Sequence, residues 1–161
     1  EIAFRAALTG HLVLATLHTN DSISAIERLI DLGLDPPMIA LGLSGIIAQS
    51  LVRKICKNCR EFYSPNVHIQ QILGLTSMKN LTFARGKGCE ECNGKGTKGR
   101  IGIYEVLIIS EEIQKHIALN RPYDEIKKAA ILEGWHPLRF SAVRKVLRHQ
   151  TTVEEIIGML H

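Results

Sequence analysis

Four cysteines stand in two matching brackets, Cys56-Lys57-Asn58-Cys59 and Cys89-Glu90-Glu91-Cys92, with residues 60–88 between them. The 161 residues hold no other cysteine. Each bracket can turn two thiolates toward one point, and four thiolates around one Zn2+ make the closed tetrahedral site used for structure. Whatever fold this chain adopts must bring two knuckles together across that gap. The gap is longer than the commonest zinc-ribbon spacing, so an intervening lobe is expected. Two disulfides or four unrelated core thiols are the alternatives. Disulfides need an oxidising compartment, and no secretory signal is visible in these residues. Zinc is the expected state, and with no open coordination position it would serve folding rather than catalysis.

The remaining composition is that of a cytosolic globular protein. Apolar residues make up 45% and aromatics 5%, which leaves Leu and Ile to fill the core. A net charge of +4 assists contact with an acidic partner or a nucleotide without indicating nucleic-acid binding. No apolar run approaches the roughly 20 residues that cross a bilayer. The sequence opens at Glu1 without a methionine, and Ile2-Ala3-Phe4-Arg5-Ala6-Ala7-Leu8 reads as a helix already under way. The expectation is a piece of something longer.

Three regions follow one another. In residues 1–54, His11-Leu12-Val13-Leu14-Ala15-Thr16-Leu17 is a near-continuous apolar run, the pattern of a strand covered on both faces. Asn20-Asp21-Ser22 offers capping oxygens to a helix carrying Ile23, Ile26, Leu29 and Ile30 and ending at Gly33. Pro36-Pro37 opens a second helix, expected from about Met38 to Lys54, with Arg53 and Lys54 at its C-terminal end. Residues 55–109 form the metal lobe, with a short helix expected over Val67–Leu73, a short strand at Leu81–Phe83, and an outgoing strand through Ile101, Ile103 and Val106. The three glycines of Asn93-Gly94-Lys95-Gly96-Thr97-Lys98-Gly99 permit tight reversal near a metal. Residues 110–161 read as small helices, with Ser110 and Thr151 or Thr152 as caps, Glu154 and Glu155 at capping-box spacing, and Pro122 in a first turn.

The Gly/Lys pairs invite a phosphate-loop reading, but the spacing fails. A Walker A loop needs a glycine five positions before its Gly-Lys and Ser or Thr after it. Gly94-Lys95 has Cys89 and Gly96 in those places, and Gly86-Lys87 has Leu81 and Gly88. His11 and His18 bracket the expected strand, one at each end, and strand ends in α/β sheets are where ligands meet side chains. An imidazole there can bond a phosphate oxygen, with Thr16 and Thr19 assisting; ordinary structural or surface histidines are the other reading. His68, His116, His136, His149 and His161 have no ligand spacing.

At this point the residues resemble a family. Thr9-Gly10-His11-Leu12-Val13-Leu14-Ala15-Thr16-Leu17-His18-Thr19-Asn20-Asp21 is similar to the histidine box of the ATPases that drive type II secretion and type IV pilus assembly. Ala25-Ile26-Glu27-Arg28-Leu29 and Ile46-Ile47-Ala48-Gln49-Ser50-Leu51-Val52-Arg53 resemble the helices that follow it. The two cysteine brackets and Gly99-Arg100-Ile101-Gly102-Ile103-Tyr104-Glu105 resemble the metal lobe of export and assembly members, which retraction motors generally lack. The resemblance covers nearly the whole chain and weakens beyond about Pro122.

It implies an α/β fold: the C-terminal part of a RecA-like P-loop ATPase domain (residues 1–54), a tetracysteine zinc lobe (55–109) and a small helical C-terminal region (110–161). It also implies a homo-hexameric motor, cytoplasmic and peripheral to the inner membrane. The motor would work on an inner-membrane platform protein and the cytoplasmic domain of a secretion or pilus membrane protein. His11 and His18 would lie beside the nucleotide, with Thr16 and Thr19 near it; Cys56, Cys59, Cys89 and Cys92 would hold a structural Zn2+. ATP and Mg2+ would be cofactors of the intact motor only, since the family's Walker A and Walker B segments should precede Glu1. Hydrolysis by these residues alone is therefore not expected. Ser50, Thr97 and Trp135-His136-Pro137-Leu138 depart from the family pattern. The alternative is a zinc-stabilised binding module. A nucleic-acid type lacks its basic stripe and interleaved aromatics. A chaperone type, suggested by Cys89-Glu90-Glu91-Cys92-Asn93-Gly94-Lys95-Gly96, would carry four such repeats where this chain has one.

Overall fold

A computed structural model describes residues 2–160. The fold is mixed α/β, with two small two-stranded sheets among the described residues. Helix α1 (Ile2–Leu8) is where the sequence places one. Asp21 supplies the capping oxygen before α2 (Ser24–Asp31), its carboxylate accepting from the N–H groups of Ile23 at 3.0 Å and Ser24 at 2.7 Å. Helix α2 turns Ala25, Ile26 and Leu29 inward.

Two expectations for the first region fail. Residues 11–19 form neither strand nor helix, and Leu12 and Leu14 are each 88% exposed. A strand of this composition gains stability only from neighbours on both edges and cover on both faces, and no described strand pairs with it. The second helix is also short. Helix α3 (Pro36–Gly42) starts on its prolines but gives way at Leu43 to an extended backbone, and β1 (Gly45–Ile55) follows. An apolar stretch without a 3.6-residue stripe fits either state, and the β-branched Ile46, Ile47 and Val52 favour the extended one. Arg53 and Lys54 thus lie on a strand and complement no helix dipole. Along β1, Ala48 and Val52 face inward while Ile47, Leu51 and Arg53 are exposed.

The lobe is nearer to expectation. β2 (Arg60–Tyr63) pairs antiparallel with β3 (Phe83–Gly86), Arg60 opposite Gly86 and Tyr63 opposite Phe83. Between them α4 (Val67–Leu73) is capped by Asn66, whose side chain accepts from the Ile69 N–H at 2.9 Å. β4 (Thr97–Ile108) leaves the lobe and pairs with β1. Its burial alternates, with Ile103, Glu105 and Leu107 inside and Tyr104, Val106 and Ile108 outside.

Ser110 caps α5 (Glu111–Ala118), accepting from the Ile113 N–H at 3.2 Å, and Pro122 precedes α6 (Tyr123–Leu132). Helices α7 (Leu138–Leu147) and α8 (Val153–Ile156) follow, and a 3-10 turn over Ile157–Met159 comes after α8. Here the threonine caps fail. Thr152 precedes α8 but its side chain bonds no helical N–H. Thr151, fully buried, donates its hydroxyl to the Arg53 carbonyl at 2.8 Å. Glu155 faces Arg53 as well, its oxygens accepting from the Arg53 backbone N–H and from Nε, both at 2.8 Å.

Two compact units divide the chain, and each draws on two stretches: residues to Ala48 with Tyr104–Pro137, and Gln49–Ile103 with the residues from Leu138. The breaks between these units fall inside β1, inside β4 and just before α7. The first unit has a core of Ile23, Ile26, Ile39, Leu107, Ile113, Ile117 and Ile126, closed by Trp135. The second is centred on Val52, Phe83, Ile103, Val146 and Ile156. Each such side chain contributes about 1.5–3 kcal/mol through burial.

Candidate functional site

The four cysteine sulfurs all lie within 4.8 Å of one another. Cys56 and Cys89 are 3.9 Å apart, Cys59 and Cys92 3.8 Å, and Cys89 and Cys92 3.7 Å. A tetrahedral site with a Zn–S bond of about 2.3 Å has edges of about 3.8 Å, so the sulfurs already stand close to the corners such a metal requires. Cys56 and Cys92 are buried and the other two half-buried, and all four are free of disulfides.

Backbone and amide donors converge on these sulfurs. The N–H groups of Cys89 and Gly96 point at Cys92 Sγ, each at 3.2 Å, and that of Gly88 at Cys59 Sγ at 3.3 Å. Asn58 Nδ2 donates to Cys89 Sγ at 3.4 Å. The Asn58 amide leads the effects that bring the Cys89 thiol down to about 6. Cys59 is pushed up to about 12, first by desolvation, opposed by the Gly88 N–H, and then by its three thiol neighbours. The Cys92 thiol is also lowered, burial being outweighed by the Cys89 and Gly96 N–H groups, so Cys89 and Cys92 ionise more readily than Cys59. A divalent metal deprotonates its thiol ligands outright, and four sulfurs at these separations fit a closed S4 zinc site.

Glycines let the two knuckles meet. A Cβ on Gly86 would overlap the Gly96 carbonyl, and one on Gly96, at φ +71°, would overlap the Gly86 carbonyl. These two backbones touch where any side chain would part them. Cys56 N–H donates to the Gly96 carbonyl at 2.9 Å and Lys87 N–H to the Cys59 carbonyl at 3.0 Å, each bond tying one bracket to the other's glycine turn. The Gly/Lys pairs that fail as a phosphate loop therefore build the metal lobe. Lys54, Lys57, Asn58, Glu91 and Lys98 line a cavity of about 500 Å³ on the Cys56 side, and Lys98 is ion-paired with Glu91.

The histidine segment is the opposite in character. His11, Thr16 and His18 are exposed and Thr19 half-buried, and no strand fixes their spacing. Their bonds are local: His11 Nδ1 lies 3.1 Å from Thr9 Oγ1, and Thr19 Oγ1 donates to the Asp21 carbonyl at 3.3 Å. A fixed arrangement begins three residues later. Ser22 is fully buried, and both its backbone N–H (2.7 Å) and its hydroxyl donate to Oε1 of Glu105, which is 1% exposed. Trp135 Nε1 donates to Ser22 Oγ at 3.2 Å. Burial, then the charges of Asp21 and Glu105, hold the nearby Tyr123 phenol up at about 12. The sequence alone gives no clear signal for Glu105, because the alternate set Tyr104, Val106 and Ile108 is wholly apolar; the observed register of β4 is what puts a carboxylate in the core, where it needs a partner.

Two separate constellations thus stand in order along one chain: an exposed histidine segment leading into α2, and a tetracysteine centre in a lobe between β1 and β4. The pattern of relatives agrees. Residues 1–158 match the model of the type II/IV secretion system proteins. The type IV pilus assembly ATPase PilB of Thermus thermophilus is 41% identical over 160 residues, which cover 98% of this chain and 18% of that protein. The type II secretion system protein E of Pseudomonas aeruginosa is 40% identical over 157 residues, and the type II secretion system ATPase E of Vibrio cholerae 36% over 157; each match covers 98% of this chain and 31% of the relative. The chain belongs to the type II/IV secretion system protein family. It spans 18% to 31% of the length of these relatives. No helix among the described residues is long and apolar enough to cross a membrane.

Proposed function

We propose that these residues are part of a motor ATPase for protein export or pilus assembly, active as a homo-hexamer on the cytoplasmic side of the inner membrane. The observation that carries the reading is the family match over residues 1–158, in which both the histidine segment and the tetracysteine brackets fall. His18 contacts the phosphate end of bound ATP and His11 holds the neighbouring backbone, with Thr16 and Thr19 close by. Their exposure supports this reading, since a segment that meets a ligand cannot already be spent on a core. The edges and faces that residues 12–17 leave uncovered would be met by other parts of the intact motor, which also supply the phosphate loop and the Mg2+ ligands. The tetracysteine lobe holds zinc for structure and presents its surface to a platform protein or to the cytoplasmic domain of a membrane partner. These 161 residues contain no phosphate loop and should not hydrolyse ATP by themselves.

The test is His18→Ala in the full-length protein, assembled and supplied with Mg-ATP. A contact made in the transition state lowers kcat and kcat/KM together and leaves KM near its parent value. His116→Ala, whose ring bonds only its own helix at the Glu112 carbonyl, should leave the rate unchanged. Parent-rate hydrolysis by assembled His18→Ala would make the histidine structural, and turnover by the 161-residue chain alone would overturn the assignment of roles.

A further inference from the structure

We propose that Glu105 is a positioning residue for the histidine segment, acting through Ser22 without touching nucleotide. The inference rests on the functional reading above and names a group that reading does not use.

A buried carboxylate needs a reason. Glu105 lies at an inward position of β4, between Ile103 and Leu107, where alternation alone would place an apolar side chain. Leaving a carboxylate there is costly unless donors meet it. Two do so from one residue, the backbone N–H and the hydroxyl of Ser22. The hydroxyl in turn accepts from Trp135 Nε1. Indole nitrogen can only donate, so the chain of bonds has one direction, Trp135 to Ser22 to Glu105. Satisfying it fixes both the rotamer and the main-chain position of Ser22.

Ser22 stands four residues after His18. Upstream of it, residues 11–18 are exposed and pair with no described strand. Downstream, the Asp21 carboxylate holds the N–H groups of Ile23 and Ser24, so the turn from 21 to 24 enters α2 as one unit. The first tertiary anchor after His18 is thus the pair of bonds to Glu105. Where a reacting geometry depends on His18, moving this anchor moves the imidazole, and a displacement near 1 Å can lower a rate about 100-fold. Simple core stability would be served as well by an apolar residue at position 105 and alanine at 22.

The experiment uses the full-length assembled protein and four variants: Glu105→Ala, Glu105→Gln, His18→Ala, and Glu105→Ala combined with His18→Ala. Each is assayed for steady-state ATP hydrolysis, and oligomer content and melting temperature are recorded. The expected result is a fall in kcat of about 10- to 100-fold for Glu105→Ala with KM for ATP within about twofold. Glu105→Gln, which keeps an acceptor oxygen for Ser22, should recover most of the rate. The double variant should be no slower than His18→Ala alone, because two residues acting through one geometry are not additive. Multiplying losses in the double variant, or a parent kcat in the assembled fraction of Glu105→Ala, would overturn the inference. A parent rate in His18→Ala itself would instead sink the functional reading on which it stands. Should Glu105→Ala fail to assemble, Ser22→Ala, which removes the hydroxyl and keeps the backbone bond, must show the same split between kcat and KM.

Discussion

The tetracysteine lobe and the histidine segment lie within one short chain and could hardly be organised more differently. In the lobe every donor is within the chain: four sulfurs, three backbone N–H groups and the Asn58 amide converge over a few ångströms. The glycine contact between residues 86 and 96 locks the two knuckles to each other. The histidine segment has its chemistry on display and is held at its ends, by the turn that closes α1, where His11 N–H meets the Ala6 carbonyl, and at Ser22. A site for structure can be completed by local residues, whereas on the proposed reading the histidine segment keeps its functional groups in solvent for a nucleotide. Such a segment leaves part of its geometry to whatever it meets.

The largest effect that would break this contrast concerns metal. One equivalent of zinc should copurify, and chelation or Cys89→Ser should unfold the lobe. Sites of this type contribute on the order of 10 kcal/mol in peptides. Metal analysis with hydrogen exchange should show protection lost over residues 56–96 while α2 and α5 keep theirs. Absence of metal together with two disulfides would contradict the lobe as described. Next in size, Gly96→Ala must push the Gly86 backbone away at a left-handed position, a loss of roughly 2–4 kcal/mol in the lobe's unfolding. Gly10→Ala, also at positive φ but with open space around it, should cost about 1 kcal/mol. Comparable losses would mean that the glycine contact does not hold the knuckles. Trp135→Phe removes the donor to Ser22 and should lower stability by about 1 kcal/mol without touching the lobe's metal content. The smallest effect belongs to Glu155→Ala. Arg53 is largely exposed, so the ion pair is screened and the loss, mostly the bond from the Arg53 backbone N–H, stays near 1 kcal/mol or less. Limited proteolysis sharpens the same comparison. The first cut in the metal-loaded chain should fall within residues 11–18, and a first cut in the lobe would reverse it.

What the sequence made legible follows from how local each signal was. The brackets, the α4 helix and the caps Asp21 and Ser110 were readable because a few adjacent residues define each of them. The run from 38 to 54 was misread because apolar residues on every face erase the period that separates helix from strand, and the turn at Leu43 has no proline to announce it. The run from 11 to 17 was misread in the other direction. Its composition fits a buried strand, but burial depends on partners elsewhere, and composition carries no information on whether they are at hand. Thr151 looked like a cap by spacing and became instead a donor to Arg53, 98 positions away in sequence. Glu105 needed the register of β4 before its burial could be seen.

The bond from Cys56 to the Gly96 carbonyl has a bearing on how the chain reaches its fold. β1 ends at Ile55 and β4 begins at Thr97, so the two strands that pair are separated by an excursion that leaves and returns at almost one point. Closing a flexible loop of that length costs about 3 kcal/mol in chain entropy before any strand pairing is gained. A metal gripped by both knuckles would close it in advance and bring the two strands side by side. The lobe would then be a clasp on the search for the native state: zinc-loaded chain should pair β1 with β4 faster than metal-free chain, in which the meeting of two distant strands is the slow step.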